Sequence, residues 1–236
     1  MCLNYYICTK YIENEFYRTP FKKTLTMKTQ LLIIFIGLIF LNVSCQNSSL
    51  NNFESGSFKD TRDGKIYKTI KIGNQIWMAE NLAYSPSIGE YRAYENNEKY
   101  VSEFGYLYNW QTACNVCPSG WHLPEKNEWT ELIRTTVLMT KKKDNGKVLK
   151  SSEGWLNRGN GYNLVGFNAL PSGRGYGKIT NEVFSDLGKC GYWWISGEDR
   201  DGVWQANLES ERDYLGYGLT NKSNFYSVRC LKDSIN

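Results

Sequence analysis

Residues 31–41 read LLIIFIGLIFL, an apolar run interrupted only by Gly37. This run constrains the chain more than any other feature, because it decides the compartment in which everything after it must fold. Its eleven residues fall short of the ~20 that a membrane-spanning helix needs. Lys22, Lys23 and Lys28 precede it with no acid between them. A basic stretch, a short apolar run and a small residue at a cleavage point make a secretory signal. A buried core helix and an uncleaved signal anchor are the competing readings. The run closes on LNVSC, with Ser44 before Cys45. That is the pattern of a bacterial lipoprotein signal, in which the Cys45 thiol takes a diacylglycerol. The pattern prefers Leu three places before the cysteine, where this chain has Asn42.

The chain therefore divides into four parts. Residues 1–26 read as a surplus upstream extension, since Met27-Lys28 is a normal start for such a signal. Residues 27–44 are the signal, residues 45–60 a polar, flexible tether, and residues 61–233 one globular domain. Residues 1–44 carry five of the 28 basic and two of the 24 acidic residues, leaving 23 and 22, a formal charge of +1. The basicity of the whole chain thus belongs to the signal, and no nucleic-acid partner is expected. The expected partner is a membrane reached through the lipid, with the outer membrane favoured and the domain periplasmic or extracellular.

Once Cys2, Cys8 and Cys45 are set aside, Cys114, Cys117, Cys190 and Cys230 remain. An even number in an exported domain suggests structural disulfides, and four cysteines allow three connectivities. Cys114-Asn-Val-Cys117 also has redox or zinc spacing. A redox pair expects a βαβ setting that the sequence lacks, and a zinc site expects a second close pair. No metal or cofactor is expected.

In the domain, Ile66, Ile70 and Ile72 share one face of an extended segment, and Ile76 and Met78 alternate after Gly73-Asn74. Period two on both sides of a Gly-Asn turn predicts a hairpin. Helices are predicted over 106–114, from Leu107, Trp110 and Ala113, and over 124–134, from Trp129, Leu132 and Ile133. Pro124, Glu125 and Glu128 suit the start of the second helix, and Pro118-Ser119-Gly120 between them is a turn. Residues 141–163 read as an exposed loop region. Short apolar runs at 164–170, 192–196, 203–208 and 225–231 read as strands of a mostly antiparallel sheet, giving an α+β domain.

Seven stretches in order carry a closer likeness: DGKIYKTIKIGNQIWMAENL (63–82), GYLYNW (105–110), CPSGWHLPEKNEW (117–129), LKSSEGW (149–155), GFNALPSGRG (166–175), YWWISGE (192–198) and SVRCLKD (227–233). With them the chain resembles the Fibrobacter succinogenes major paralogous domain family, found in exported bacterial proteins. That resemblance implies a C-type lectin-like fold: two helices, a small mostly antiparallel sheet and long irregular loops. It further implies a disulfide between Cys117 and Cys230, and leaves Cys114 and Cys190 either as a second pair or both reduced.

Catalytic signals are weak. His122 is the sole histidine and reads as a structural residue. No nucleophile elbow or phosphate loop occurs, nor do the Glu-Pro-Asn, Gln-Pro-Asp or Trp-Asn-Asp tripeptides of calcium-dependent sugar-binding lectins. Glu198-Asp199-Arg200-Asp201 reads as a solvated turn, and Arg229 as a partner in a buried ion pair. Trp193 and Trp194 are adjacent, so in a strand they face opposite ways; one is expected to be buried and the other to be exposed or to lie under the loops. Two function classes follow. One is a non-catalytic binding or adhesion module for a polysaccharide or a surface protein, with Tyr176, Trp194 and Trp204 as candidate ligand contacts. The other is an enzyme akin to formylglycine-generating enzymes, for which Cys114 and Cys190 would have to be reduced and adjacent.

Overall fold

A computed structural model describes residues 53–177 and 183–234. The upstream extension, the signal, Cys45 and the first part of the tether lie outside the described residues. The first described strand, β1 (Glu54–Lys59), falls inside the expected tether. It pairs along its whole length with β2 (Ile66–Ile72), and Asp60 beyond it is buried. The domain thus starts before residue 61. A polar strand such as ESGSFK shows no apolar alternation, because backbone pairing with its neighbour holds most of it and only Phe58 packs on the core, against Tyr67 and Trp121.

The predicted hairpin is present. Strands β2 and β3 (Gln75–Met78) pair across Gly73-Asn74, and Gly73 takes a left-handed φ of 62°. Its buried face is not the predicted one throughout. Ile66 is 63% exposed while Tyr67 is fully buried, and the alternation shifts where Thr69 and Ile70 are both buried.

The next part of the chain runs through β4 (Tyr91–Arg92), two short 3-10 turns, α1 (Val101–Phe104) and β5 (Leu107–Tyr108). Helix α2 (Trp110–Val116) starts later than predicted. Asn109 is its cap, accepting from the Thr112 backbone N–H at 2.9 Å, so Leu107 belongs to a strand. After the turn at 118–120, closed by Trp121 N–H on the Pro118 carbonyl, comes β6 (Trp121–His122). Helix α3 (Lys126–Thr140) begins two residues after Pro124 and runs past the predicted end. Glu125 caps it, and its own N–H donates to the Glu128 carboxylate at 2.8 Å, as in a capping box. Trp129, Leu132 and Thr136 form its buried face.

The expected exposed loop over 141–163 is a correction. It contains α4 (Asn145–Leu149), and Val148, Leu149, Lys150 and Ser151 are buried. Lys150 Nζ donates to the Arg212 carbonyl at 2.7 Å. The run 164–170 is not a strand either. Val165, Phe167 and Ala169 are buried, but turns interrupt the segment. Strands β7 (Ser172–Tyr176), β8 (Val183–Leu187), β9 (Cys190–Asp199), β10 (Gly202–Glu209), β11 (Gly216–Thr220), β12 (Tyr226–Ser227) and β13 (Leu231–Lys232) follow.

These strands build two sheets, not one small one. The first has the order β1-β2-β3-β13-β6. The second has eight strands, ordered β11-β10-β9-β12-β5-β4, with β7 and β8 joined beside β9. The described residues thus form a mixed α/β domain with few helices and mostly sheet. Its core is aromatic. Trp77 and Trp129 lie 4.9 Å apart between ring centroids, and Trp129 and Trp193 lie 6.2 Å apart. A second cluster holds Tyr67, Tyr108, Trp194 and Tyr226. Because β9 runs between the two clusters, both of its faces are covered.

Candidate functional site

That burial decides the fate of the predicted ligand contacts. Trp193 and Trp194 do face opposite ways, but both are fully buried. Trp194 packs 4.5 Å from Tyr226 and donates its indole N–H to the Tyr108 carbonyl at 2.6 Å. It is a core residue, and its assignment as a ligand contact is corrected. Trp204 is half-buried against the first cluster. The Lys126 ammonium sits 3.3 Å from its ring centroid, which screens the indole face through a cation–π contact. Tyr176, at the end of β7, is 37% exposed and is the most exposed candidate of the three, with the Arg174 guanidinium 5.6 Å from its ring centroid.

Cys117, at the C-terminal cap of α2, is bonded to Cys230, just before β13. The structure leaves Cys114 and Cys190 as free thiols, which corrects their inclusion among the disulfide cysteines. Cys190 opens β9, whereas Cys114 shares a groove with Glu198 near the other end of that strand. Eight residues of strand at about 3.3 Å each separate those ends by roughly 26 Å, and a disulfide needs Cα atoms within ~7 Å. Burial also pushes both thiols up, Cys114 to about 11, away from the thiolate that nucleophilic chemistry needs.

His122 lies between two carboxylates, with Nδ1 2.6 Å from Asp233 and Nε2 3.0 Å from Glu128. It ties β6 to the chain beyond β13 and to the first turn of α3. Arg229 is fully buried, but among the described residues no carboxylate lies within ion-pair distance and Glu80 acts on it only at longer range, which corrects the expected ion pair. Its guanidinium donates to the Phe167 and Asn168 carbonyls and to Asn81 Oδ1, and it stacks on Phe167. Burial lowers its pKa to about 9. Backbone carbonyls of the irregular 164–170 segment take its terminal N–H groups, which pins that segment to the core, while its buried Nε has no partner among the described residues. Glu198 in the β9–β10 hairpin pairs with Lys222 at 2.6 Å. Among the described residues no group of three or more acidic, His or Cys side chains is arranged to hold a metal.

Several polar surfaces remain among the described residues, and two of them lie beside residues named above. One is a groove of about 480 Å³ lined by Trp110, Gln111, Cys114, Asn115, Glu198 and Lys222. Lys222 Nζ lies over the Trp110 ring at 4.8 Å, so the ring is partly covered. The other is one face of β9, β10 and β11. Gln205, Asn207 and Glu209 alternate along β10 and oppose Trp194, Tyr192 and Cys190 on β9, while Gly218 and Gly216 oppose Gln205 and Asn207 on β11. Arg174 reaches the same region from β7, 5.1 Å from the Tyr192 ring and 5.6 Å from the Tyr176 ring, and is bonded to Asp186 at 2.9 Å. Tyr176 was legible in the sequence, whereas Tyr192, Asn207 and the two glycines were not. No local pattern marks them, because three separate strands bring them together.

The fold and its surfaces thus define a disulfide-tied, sheet-rich α/β domain whose aromatic residues are mostly spent on the core. Residues 70–232 match the family model of the Fibrobacter succinogenes major domain. The match spans well over half of the chain, and the chain belongs to that family. No curated protein and no solved structure matches it.

Proposed function

We propose that the chain is an exported, lipid-anchored, non-catalytic binding or adhesion module whose ligand is a polysaccharide or another surface protein. The observation that carries this reading is the Cys117–Cys230 disulfide. Disulfides persist in oxidising compartments and are rare in the cytosol, which agrees with a signal-like segment ending at Cys45. The anchor is a lipid on Cys45, in the outer membrane, with the domain on its periplasmic or extracellular side. None of the helices among the described residues is long and apolar enough to cross a membrane.

The C-type lectin-like fold is part of the same reading. Helices α2 and α3, the irregular segment between α4 and β7, and a disulfide from the end of α2 to the last strand support it. The separation of Cys114 from Cys190 favours the binding module over a paired-thiol enzyme. Metabolic labelling with a palmitate analogue tests the anchor. Label is expected on the wild-type protein in the membrane fraction and absent from Cys45→Ser; label that survives the substitution overturns the lipoprotein reading.

A further inference from the structure

We infer that the row Gln205–Asn207–Glu209 on β10, floored by Gly218 and Gly216 of β11 and bounded by Tyr192 of β9, binds a neutral saccharide. The inference rests on the binding-module reading and names the site and ligand class within it.

Space comes first. Side chains two apart on a strand share a face, so the three polar residues of β10 form one row. Their neighbours on β11, the edge strand of its sheet, carry no side chain. A Cβ on Gly218 would stand 2.7 Å from Gln205 Nε2, and one on Gly216 would stand 2.9 Å from Asn207 Oδ1. Neither glycine has a left-handed φ, so backbone conformation does not demand them. What they provide is a shallow trough in which the amides lie along the sheet. At its Glu209 end the trough opens into a cavity of about 190 Å³ lined also by Asn157, Asp186 and Cys190.

Chemistry then selects the ligand. Asn207 Nδ2 donates to Glu209 at 3.0 Å, and Arg212 donates to the same carboxylate at 3.0 Å. Gln205 Nε2 makes only a 3.5 Å contact with Asn207. Gln205 is 9% exposed, and no protein group hydrogen-bonds its buried Oε1. An unsatisfied buried acceptor is costly, so a ligand hydroxyl that reaches it is favoured. Glu209 pairs with Arg212 and Asp186 with Arg174, and the remaining charges at the cavity, Lys189 and Glu211, are opposite in sign, which leaves no net local excess to attract an ion. Amides offer donors and acceptors together, matching the hydroxyls of a sugar. Tyr192 is stacked 5.1 Å from Tyr226 and lies under the Arg174 guanidinium, so it is rigid and what it offers a pyranose is its apolar ring edge as a border, not a stacking face. Tyr176 extends that border. Specific sites combine such apolar walls with a few fixed polar groups.

The test is affinity electrophoresis of the full chain in detergent, through gels containing dextran, yeast mannan, laminarin, xylan or, as the anionic comparator, polygalacturonate. At least one neutral polymer is expected to retard the protein more than polygalacturonate does. Asn207→Ser and Gly216→Val, which empty and fill the trough at the sheet edge, should each weaken that retention at least tenfold with melting temperature nearly unchanged. Tyr162→Ala, at an exposed ring outside the strip, should leave it intact. Retention indifferent to both trough variants would overturn the site while leaving the module reading standing. A preference for polygalacturonate, or no retention by any polymer, would overturn the saccharide assignment. The palmitate label judges the anchored-module reading independently. If either variant unfolds, the other supplies the answer, and Asn207→Asp, isosteric but acceptor-only, should also weaken binding.

Discussion

Removing the Cys117–Cys230 bridge is the perturbation with the largest expected consequence. Its partners are 113 residues apart. On the chain-entropy argument, closing a loop of that length removes enough freedom from the unfolded chain to stabilise the fold by roughly 5 kcal/mol at 25 °C. Total stability is typically only about 5–15 kcal/mol. For a domain of this size each kcal/mol moves the melting temperature by about 2–4 °C, so the loss should be about 10–20 °C. Cys230 is fully buried, and alanine avoids leaving a thiol or hydroxyl there without a partner. The assay is thermal unfolding of wild type and the Cys117→Ala/Cys230→Ala double variant, each with and without reductant. Reductant should lower the wild-type midpoint to near that of the variant and leave the variant unmoved. A wild type insensitive to reductant, or a variant within about 3 °C of it, would refute the view that this bridge is a major constraint.

Two other outcomes follow from the site geometry. Trp194→Ala should cost about 3–5 kcal/mol in denaturant melts, as expected for emptying a fully buried Trp site. Tyr176→Ala should stay within about 0.5 kcal/mol, as for a surface residue, and equal losses at the two would contradict the placement of Trp194 in the core. For His122, burial opposes the charge, but hydrogen bonds to Asp233 and Glu128 outweigh it, and its pKa is raised above 6.5. A raised folded-state pKa gives stability that is whole below the unfolded value and fades as pH rises through the folded one. The melting-temperature gap between wild type and His122→Gln should therefore be widest near pH 5.5 and narrow toward pH 9; a gap that widens with pH would refute this.

The sequence alone determined the features set by short-range rules. The β2–β3 hairpin was legible because Gly73-Asn74 meets a local backbone demand between alternating apolar residues. Helix α3 was legible because Trp129 and Leu132 recur on one face behind Glu125 and Glu128. The ordered motifs identified the family, and with it the Cys117–Cys230 pair. Tertiary structure decided the rest, because burial depends on what covers a residue rather than on the residue itself. Trp194 looked like a surface aromatic until a second cluster was found beneath it. The segment 141–163 looked like an exposed loop although Val148 and Leu149 fill the core and Lys150 finds the Arg212 carbonyl 62 residues away. Residues 54–59 looked like a tether because an edge strand needs only a neighbour's backbone, and backbone pairing leaves no mark in side-chain pattern. The trough of Tyr192, Asn207 and Gly216 exists only where β9, β10 and β11 lie side by side, and strand register, which no single segment encodes, puts those three side by side.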